Sequence, residues 1–348
     1  MSFARVLDSP ALLTTIGCSV ALFSIQNQFQ YDVVRQIAEG GMGIVYEAEQ
    51  WGAHGFRKRV AMKVIRSQFA SQPSFVENFI GEAKLVADLI HTNIVQTYHL
   101  GEAGGQVFIA MEYINGVNLD ALLEQQAAKE RRLPVELAVF IVSRVARGLA
   151  YAHAKTDDHH HSLGIVHRDV SFKNVMIAFE GDVKLTDFGI AKARGFLKQE
   201  EGEVVVGKAD YMSPEQADFQ ITDRRSDIFS AGVVLAHLLL GENIFHGETP
   251  EESRDRILEM PIPDFTKLDP RIDAKLDAIL RRMLARTPAS RFQTADELLS
   301  ALERYLYEPG FGPTNEKLGF YVRELFGQDV PRGGGQSQSG STVLLSNS

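Results

Sequence analysis

The chain has 348 residues, more than one hydrophobic core usually supports, so two lobes with tails are expected. At 45% hydrophobic and 23% charged it has the composition of a folded soluble protein, and a net charge of −9 argues against nucleic acid or an anionic membrane surface as the main partner. Cys18 is the single cysteine, which excludes an internal disulfide or a cysteine zinc site and fits a cytoplasmic location.

Residues 1–30 read as an N-terminal extension. Within it Ala11 to Ile25 is apolar but broken by Thr14, Thr15, Ser19 and Ser24, and is shorter than the ~20 residues of a spanning helix. The two readings are a segment packed on the first lobe, possibility of a helix included, and membrane association. Residues 31–113 are mainly strands: Tyr31 to Ile37, a glycine turn, Ile44 to Ala48, Arg59 to Ile65, then Thr97 to Leu100 and Val107 to Met111 around a Gly101–Gly105 turn. Phe75 to Leu89 places apolar residues at helical spacing and supplies one main helix.

From 114 to 307 the pattern is mostly helical, with periodic runs at Leu119–Glu130, Pro134–His153, Ser226–Leu240, Ile272–Ala285 and Thr294–Leu306. Thr294 with Glu297 predicts a capping box. Residues 308–330 hold a short accessory helix of unassigned role, and the Gly/Ser/Gln-rich stretch 331–348 reads as a flexible tail.

His167-Arg168-Asp169 is followed by Asn174, five residues after the aspartate, and by Asp187-Phe188-Gly189, eighteen after it. Phosphoryl transfer from ATP needs a carboxylate to orient the accepting hydroxyl, oxygen ligands for magnesium, and positive charge on the phosphates. Asp169 suits the first task, and Asn174 with Asp187 the second. On these residues the chain resembles a eukaryotic-type (Hanks-type) Ser/Thr protein kinase, in particular bacterial members with an H-R-D-V-S-x-x-N loop.

The resemblance implies an α+β bilobal fold, with a small β-rich lobe, a large helical lobe, and ATP and Mg2+ bound at the hinge. It assigns Asp169, Lys63 and Lys173 to catalysis and Asn174 and Asp187 to the metal. Ile37, Ala38, Gly40, Gly41, Gly43, Val45 and Ala61 would contact nucleotide. Ala38 replaces the first glycine of G-x-G-x-x-G-x-V; by itself the turn is equally well a plain hairpin. Lys63, in Val60-Ala61-Met62-Lys63, would meet the phosphates and Glu82, with Glu77 the competing carboxylate. The bland reading is a surface pair. Met111 would be the gatekeeper, Glu112 and Ile114 would bond adenine through their backbones, and Asn118 would contact ribose. A buried strand ending in a turn explains this apolar run equally well.

Ser171 and Phe172 depart from the usual H-R-D-L-K-P-x-N, and Lys173 stands where the missing phosphate-binding charge would be regained. Asp227 matches the helix aspartate that braces the catalytic loop, and Arg291 the arginine that pairs with Glu215. Ile190 to Tyr211 holds no serine or threonine, and Glu200, Glu201 and Glu203 have two readings, a solvated charge run or permanent charge that orders the loop without phosphorylation; Lys208 replaces a threonine that helps organise peptide binding. His159-His160-His161 reads as a polar loop, since consecutive residues do not converge on one ion. The expected partners are proteins with Ser or Thr acceptors, with self-phosphorylation in the tail at Ser337, Ser339, Ser341 or Thr342. The alternative is a pseudokinase scaffold that binds nucleotide or a partner without transfer, for which Ala38, Ser171, Phe172 and Lys208 argue.

Overall fold

The computed structural model describes residues 23–26, 29–40, 43–70, 72–103, 106–188, 209–308 and 310–328. The expected apolar segment (to residue 22), Gly41, Gly189, the acidic run with Lys208, and the tail from 331 lie outside them. Two compact units are present, one of Met1–Ala83 with Thr97–Tyr113, the other of Lys84–Gln96 with Ile114–Ser348.

The first unit is built on a six-stranded antiparallel sheet. Its strands are β1 (Phe23–Gln26), β2 (Gln30–Glu39), β3 (Gly43–Trp51), β4 (Arg57–Ile65), β5 (Thr97–Ala103) and β6 (Gln106–Glu112), in the order β1-β2-β3-β4-β6-β5. Two helices follow β4, the short α1 (Ser67–Ala70) and α2 (Pro73–Ala87). Strand alternation sorts β4 into two faces. Val60, Met62 and Val64 join Tyr31, Val33 and Phe108 in one cluster, while Ile65 on the opposite face packs with Ile109 and with Phe79 and Ala83 of α2. Two expectations change here. The end of the Ala11–Ile25 stretch is strand, because Phe23 to Ile25 pair with Val33 to Tyr31. Gly101 lies inside β5 and not in a turn; a side chain there would collide with the Phe108 ring.

The second unit opens with β7 (Gly116–Asn118), α3 (Leu119–Ala128) and α4 (Val135–His153). A short antiparallel sheet follows, β7-β8-β9, with β8 at Val175–Ala178 and β9 at Val183–Leu185. The remaining helices are α5 (Pro214–Ala217), α6 (Arg224–Leu240), α7 (Pro250–Glu259), α8 (Phe265–Leu268), α9 (Ala274–Met283), α10 (Ala295–Tyr307) and α11 (Asn315–Phe326). α4 and α6 are buried nearly all round, so both form the centre of the apolar core and not one amphipathic edge of it. Leu302, Leu306, Leu318 and Leu325 join that core.

Residues 84–96 belong to this unit because Leu89 and Ile94 pack with Ala152, Ile165 and Phe188. Asn93 ties the segment to β9, its amide donating to the Val183 carbonyl (2.8 Å) while its own carbonyl accepts from Leu185 N–H (2.9 Å).

Candidate active site

Asp227, in the first turn of α6, is the buried anchor of the catalytic loop. Its two carboxylate oxygens accept the backbone N–H groups of His167 (2.8 Å) and Arg168 (2.7 Å), and His153 Nε2 reaches the same carboxylate at 2.7 Å. Burial works to raise its pKa, but the hydrogen bond and charge of His153, with help from His167, hold the carboxyl below its ordinary range. Two successive N–H groups can face one carboxylate because Arg168 is turned to a left-handed φ of 61°.

His167 then links the loop to the strand end that carries Asp187. Its Nδ1 accepts the Asp169 N–H (3.2 Å) and its Nε2–H donates to the Thr186 carbonyl (3.1 Å). Accepting at Nδ1 requires a neutral ring, and burial lowers the pKa of this imidazole against the pull of Asp227 and Asp169. The Phe188 ring lies 4.4 Å from it.

Asn174 ends a single 3-10 turn, Phe172–Asn174. Its Nδ2 donates to the Asp169 carbonyl (2.8 Å) and to Asp169 Oδ2 (3.1 Å), and its own backbone carbonyl accepts from Thr186 N–H (3.0 Å). Asp169, Asn174 and the residue before Asp187 are therefore held in one hydrogen-bonded cluster. Asp187 itself has a φ of 55°, a strained value for a non-glycine residue and one that is typical of functional sites. With Nδ2 committed, Asn174 turns its amide oxygen the other way. An amide oxygen and a carboxylate are the hard donors that Mg2+ prefers, so the residues fit that ion. Lys173, in the same turn, is exposed.

Phe172, standing in the usual proline position, is buried and stacks on His237 of α6 at 4.2 Å. The Tyr211 hydroxyl and His237 Nδ1 share a hydrogen bond (2.9 Å), and Ser230 Oγ donates to the Tyr211 carbonyl (2.7 Å). The substitution thus roots the loop in the large unit by an aromatic stack. Arg291 binds Glu215 through two hydrogen bonds, and Ser226 donates to the same carboxylate (2.6 Å).

In the first unit, Ala61 pairs with Met111, and Lys63 lies between Val45 and Ile109. By alternation Lys63 shares a strand face with Ala61 and Ile65, the side that receives α2. Glu82 is in α2, and its side chain lies outside the described residues. Ile37 and Ala38 are exposed on β2, with Ala38 opposite Val45. Gly40 N–H donates to the Gly43 carbonyl (2.9 Å), closing the turn. Glu112 ends β6, and Ile114 begins the second unit.

Asn118 carries a job that the sequence reading did not assign: its Oδ1 accepts Ala121 N–H (2.9 Å) and caps α3. Other supporting residues were also missed. Gln216 donates to the Arg168 carbonyl (3.0 Å), and Thr222 Oγ1 accepts from Arg168 Nε (3.1 Å). The S-x-x-Q pattern of Ser213 and Gln216 was a readable cap signal, since the two form a reciprocal capping box. Thr222 and His153 gave no local signal. The box expected at Thr294 is modified: Thr294 caps Glu297 N–H (3.0 Å), but the Glu297 carboxylate reaches past it to Gln293 N–H (2.8 Å). At the three histidines, Asp157 Oδ1 accepts the backbone N–H groups of His159 and His161 (both 2.9 Å), which makes a turn.

The protein kinase domain family matches residues 31–302, and the chain belongs to that family. Membership implies ATP as the phosphoryl donor. Among curated proteins, the chain is 37% identical over 299 residues to the tyrosine-protein kinase MasK of Myxococcus xanthus (strain DK1622), covering 86% of this chain and 46% of MasK. It is 35% identical over 281 residues to the serine/threonine-protein kinase PknB of Mycobacterium leprae (strain TN), covering 79% of this chain and 43% of PknB. The chain therefore spans less than half the length of either relative. The crystal structure of the Mycobacterium tuberculosis PknI kinase domain is similar at a TM-score of 0.59 and 28% identity, covering 83% of this chain and 99% of that one. Among the described residues no helix is long and apolar enough to cross a membrane.

Proposed function

We propose that the protein transfers the γ-phosphoryl group of ATP to serine or threonine hydroxyls of other proteins, in bacterial signalling. The observation that carries this reading is the bonded cluster of Asp169, Asn174 and Thr186, anchored from below by Asp227. Asp169, held by these bonds, would orient an incoming hydroxyl and take its proton. Asn174 and Asp187 would hold Mg2+, which when bound neutralises phosphate charge and aligns the phosphates. Lys63 and the backbone of the Gly40–Gly43 turn would bind the phosphates, with Glu82 as the lysine's carboxylate partner, and Lys173 would supply charge on the group in transit. Ile37, Val45, Ala61, Met111, Glu112 and Ile114 would line the adenine. Since Asn118 Oδ1 serves the helix cap, a ribose contact there would use Nδ2.

A scaffold that only bound nucleotide would have no use for the Asp169 arrangement, which favours transfer over the pseudokinase alternative. The name of MasK carries a second reading, a tyrosine acceptor. Incubation with γ-labelled ATP and Mg2+, beside an Asp187→Asn control, decides between these readings. Phosphoserine and phosphothreonine in protein substrates or in the chain itself support the proposal. Phosphotyrosine alone moves it to the second reading, and tight nucleotide binding without transfer moves it to the scaffold.

A further inference from the structure

α11 lies beyond residue 302, where the family match ends, and the sequence leaves it without a role. Its contacts supply one. The strands β8 and β9 form a hairpin whose open end carries the metal-binding pair: β8 begins directly after Asn174, β9 ends two residues before Asp187, and Val175 pairs with Leu185. Strands this short do not hold a hairpin by themselves. Its closed end, the turn Phe179–Asp182, lies against α11.

The grip on that turn is specific. Arg323 donates to the Phe179 carbonyl, and Asn315 Nδ2 donates to Asp182 Oδ1 (2.5 Å). Gly319 brings the helix backbone so near that an added Cβ would sit 2.7 Å from the Glu180 carbonyl oxygen. Gly181, at a φ of 98°, has no room for a side chain because the Asn315 carbonyl fills that space. The Phe326 ring meets Phe179 edge-on at 6.3 Å.

Another side of α11 holds α3. Gln126 Nε2 donates to the buried Tyr321 hydroxyl (2.8 Å), and Lys129 Nζ and Gln125 Nε2 donate to the Leu325 carbonyl (2.5 and 3.2 Å). α3 in turn packs on the Phe172–Asn174 turn, and β7 pairs with β8 at Asn118 and Met176. One helix thus clips together two supports of the same polar cluster.

We propose that α11 is a positioning element for the metal-binding side chains Asn174 and Asp187, acting through the hairpin turn, with Arg323 the positioning residue. The inference rests on the kinase reading for its purpose, but its geometry can be tested without activity. Arg323→Ala, Arg323→Lys and the double change Arg323→Ala with Asn315→Ala are made in the full chain. Three readouts are taken: melting temperature, backbone hydrogen exchange over residues 175–187 without nucleotide, and Mn2+ affinity in the presence of ATP by water-proton relaxation.

The double variant is expected to speed exchange in the hairpin and to weaken Mn2+ binding about three- to tenfold, the scale of one or two lost hydrogen bonds. Arg323→Lys, which keeps a donor, should recover most of both effects. Faster exchange with unchanged Mn2+ affinity would make α11 a structural brace only and overturn the inference, as would unchanged exchange. A wild-type chain that binds Mn2+ and ATP in this pattern yet transfers no phosphate would overturn the kinase reading and leave the positioning role standing.

Discussion

Arg291 and Glu215 meet through two parallel hydrogen bonds of 2.7 and 2.8 Å, with the guanidinium wholly out of solvent. Arg291 also donates to the carbonyls of Ala285, Arg225 and Arg286, so one side chain gathers the segment after α9, the start of α6 and α5. Removing it leaves a buried carboxylate with no counter-charge. Arg291→Ala should cost about 3–5 kcal/mol in denaturant unfolding. A cost below about 1 kcal/mol would mean that the pair is dispensable to the large unit.

The two ends of the glycine turn answer to different demands. A Cβ on Gly43 would lie 2.8 Å from the Val64 carbonyl oxygen, whereas among the described residues one on Gly40 would meet nothing nearer than 3.7 Å. Gly43→Ala should therefore lower stability by about 1–3 kcal/mol through strain between β3 and β4. Gly40→Ala should leave the melting temperature unchanged and raise the KM for ATP. Equal thermal effects from both changes would remove the argument that Gly40 is kept for phosphate.

Lys173→Ala tests whether charge lost at Ser171 is regained two residues later. The side chain is exposed, so stability should not change. If it neutralises the transferring group, kcat should fall about 10²-fold with little change in the KM for ATP. Turnover equal to wild type, with Asp169→Ala inactive, would show that this lysine has no part in transfer.

Acid should weaken the large unit at His237. Burial in the stack with Phe172 lowers its pKa to about 4, from 6.5. Between those values the unfolded chain binds a proton that the folded chain does not, so stability falls as pH drops from 6.5 toward 4. The loss at the lower end is up to about 3 kcal/mol. His237→Gln keeps a hydrogen-bond partner for Tyr211 and should flatten the stability profile over that window. An unchanged slope would place the acid sensitivity elsewhere.

What could be read before the structure was known follows a physical division. α4, α6 and α10 were legible within a few residues, α10 because burial of one face repeats along the sequence and α4 and α6 because burial on nearly all sides leaves a long apolar run. Lys63, Asp169, Asn174 and Asp187 were visible through their match, in order, to the motifs of the family, and Asp227 and Arg291 through its bracing residues. β1 was not, since its pairing with β2 is tertiary and its apolar character suits several environments. The highly charged α7 gave too weak an apolar stripe to be read as a helix. The Asn118 cap, made to Ala121 three residues on, was a local signal left unread. The sequence could not show that His153 completes the Asp227 anchor or that residues 84–96 join the second unit. Each depends on a neighbour far along the chain.

The edge strand β1 has a practical meaning. It covers one side of β2 over Gln30–Val33, the first four of its ten residues, where backbone groups would otherwise stand unpaired before any passing chain. A fragment trimmed to the family boundary at residue 31 would keep every residue assigned to chemistry and still bare that adhesive border. For anyone preparing the domain, poor solubility after such a cut would signal a missing seam and not a defective catalyst.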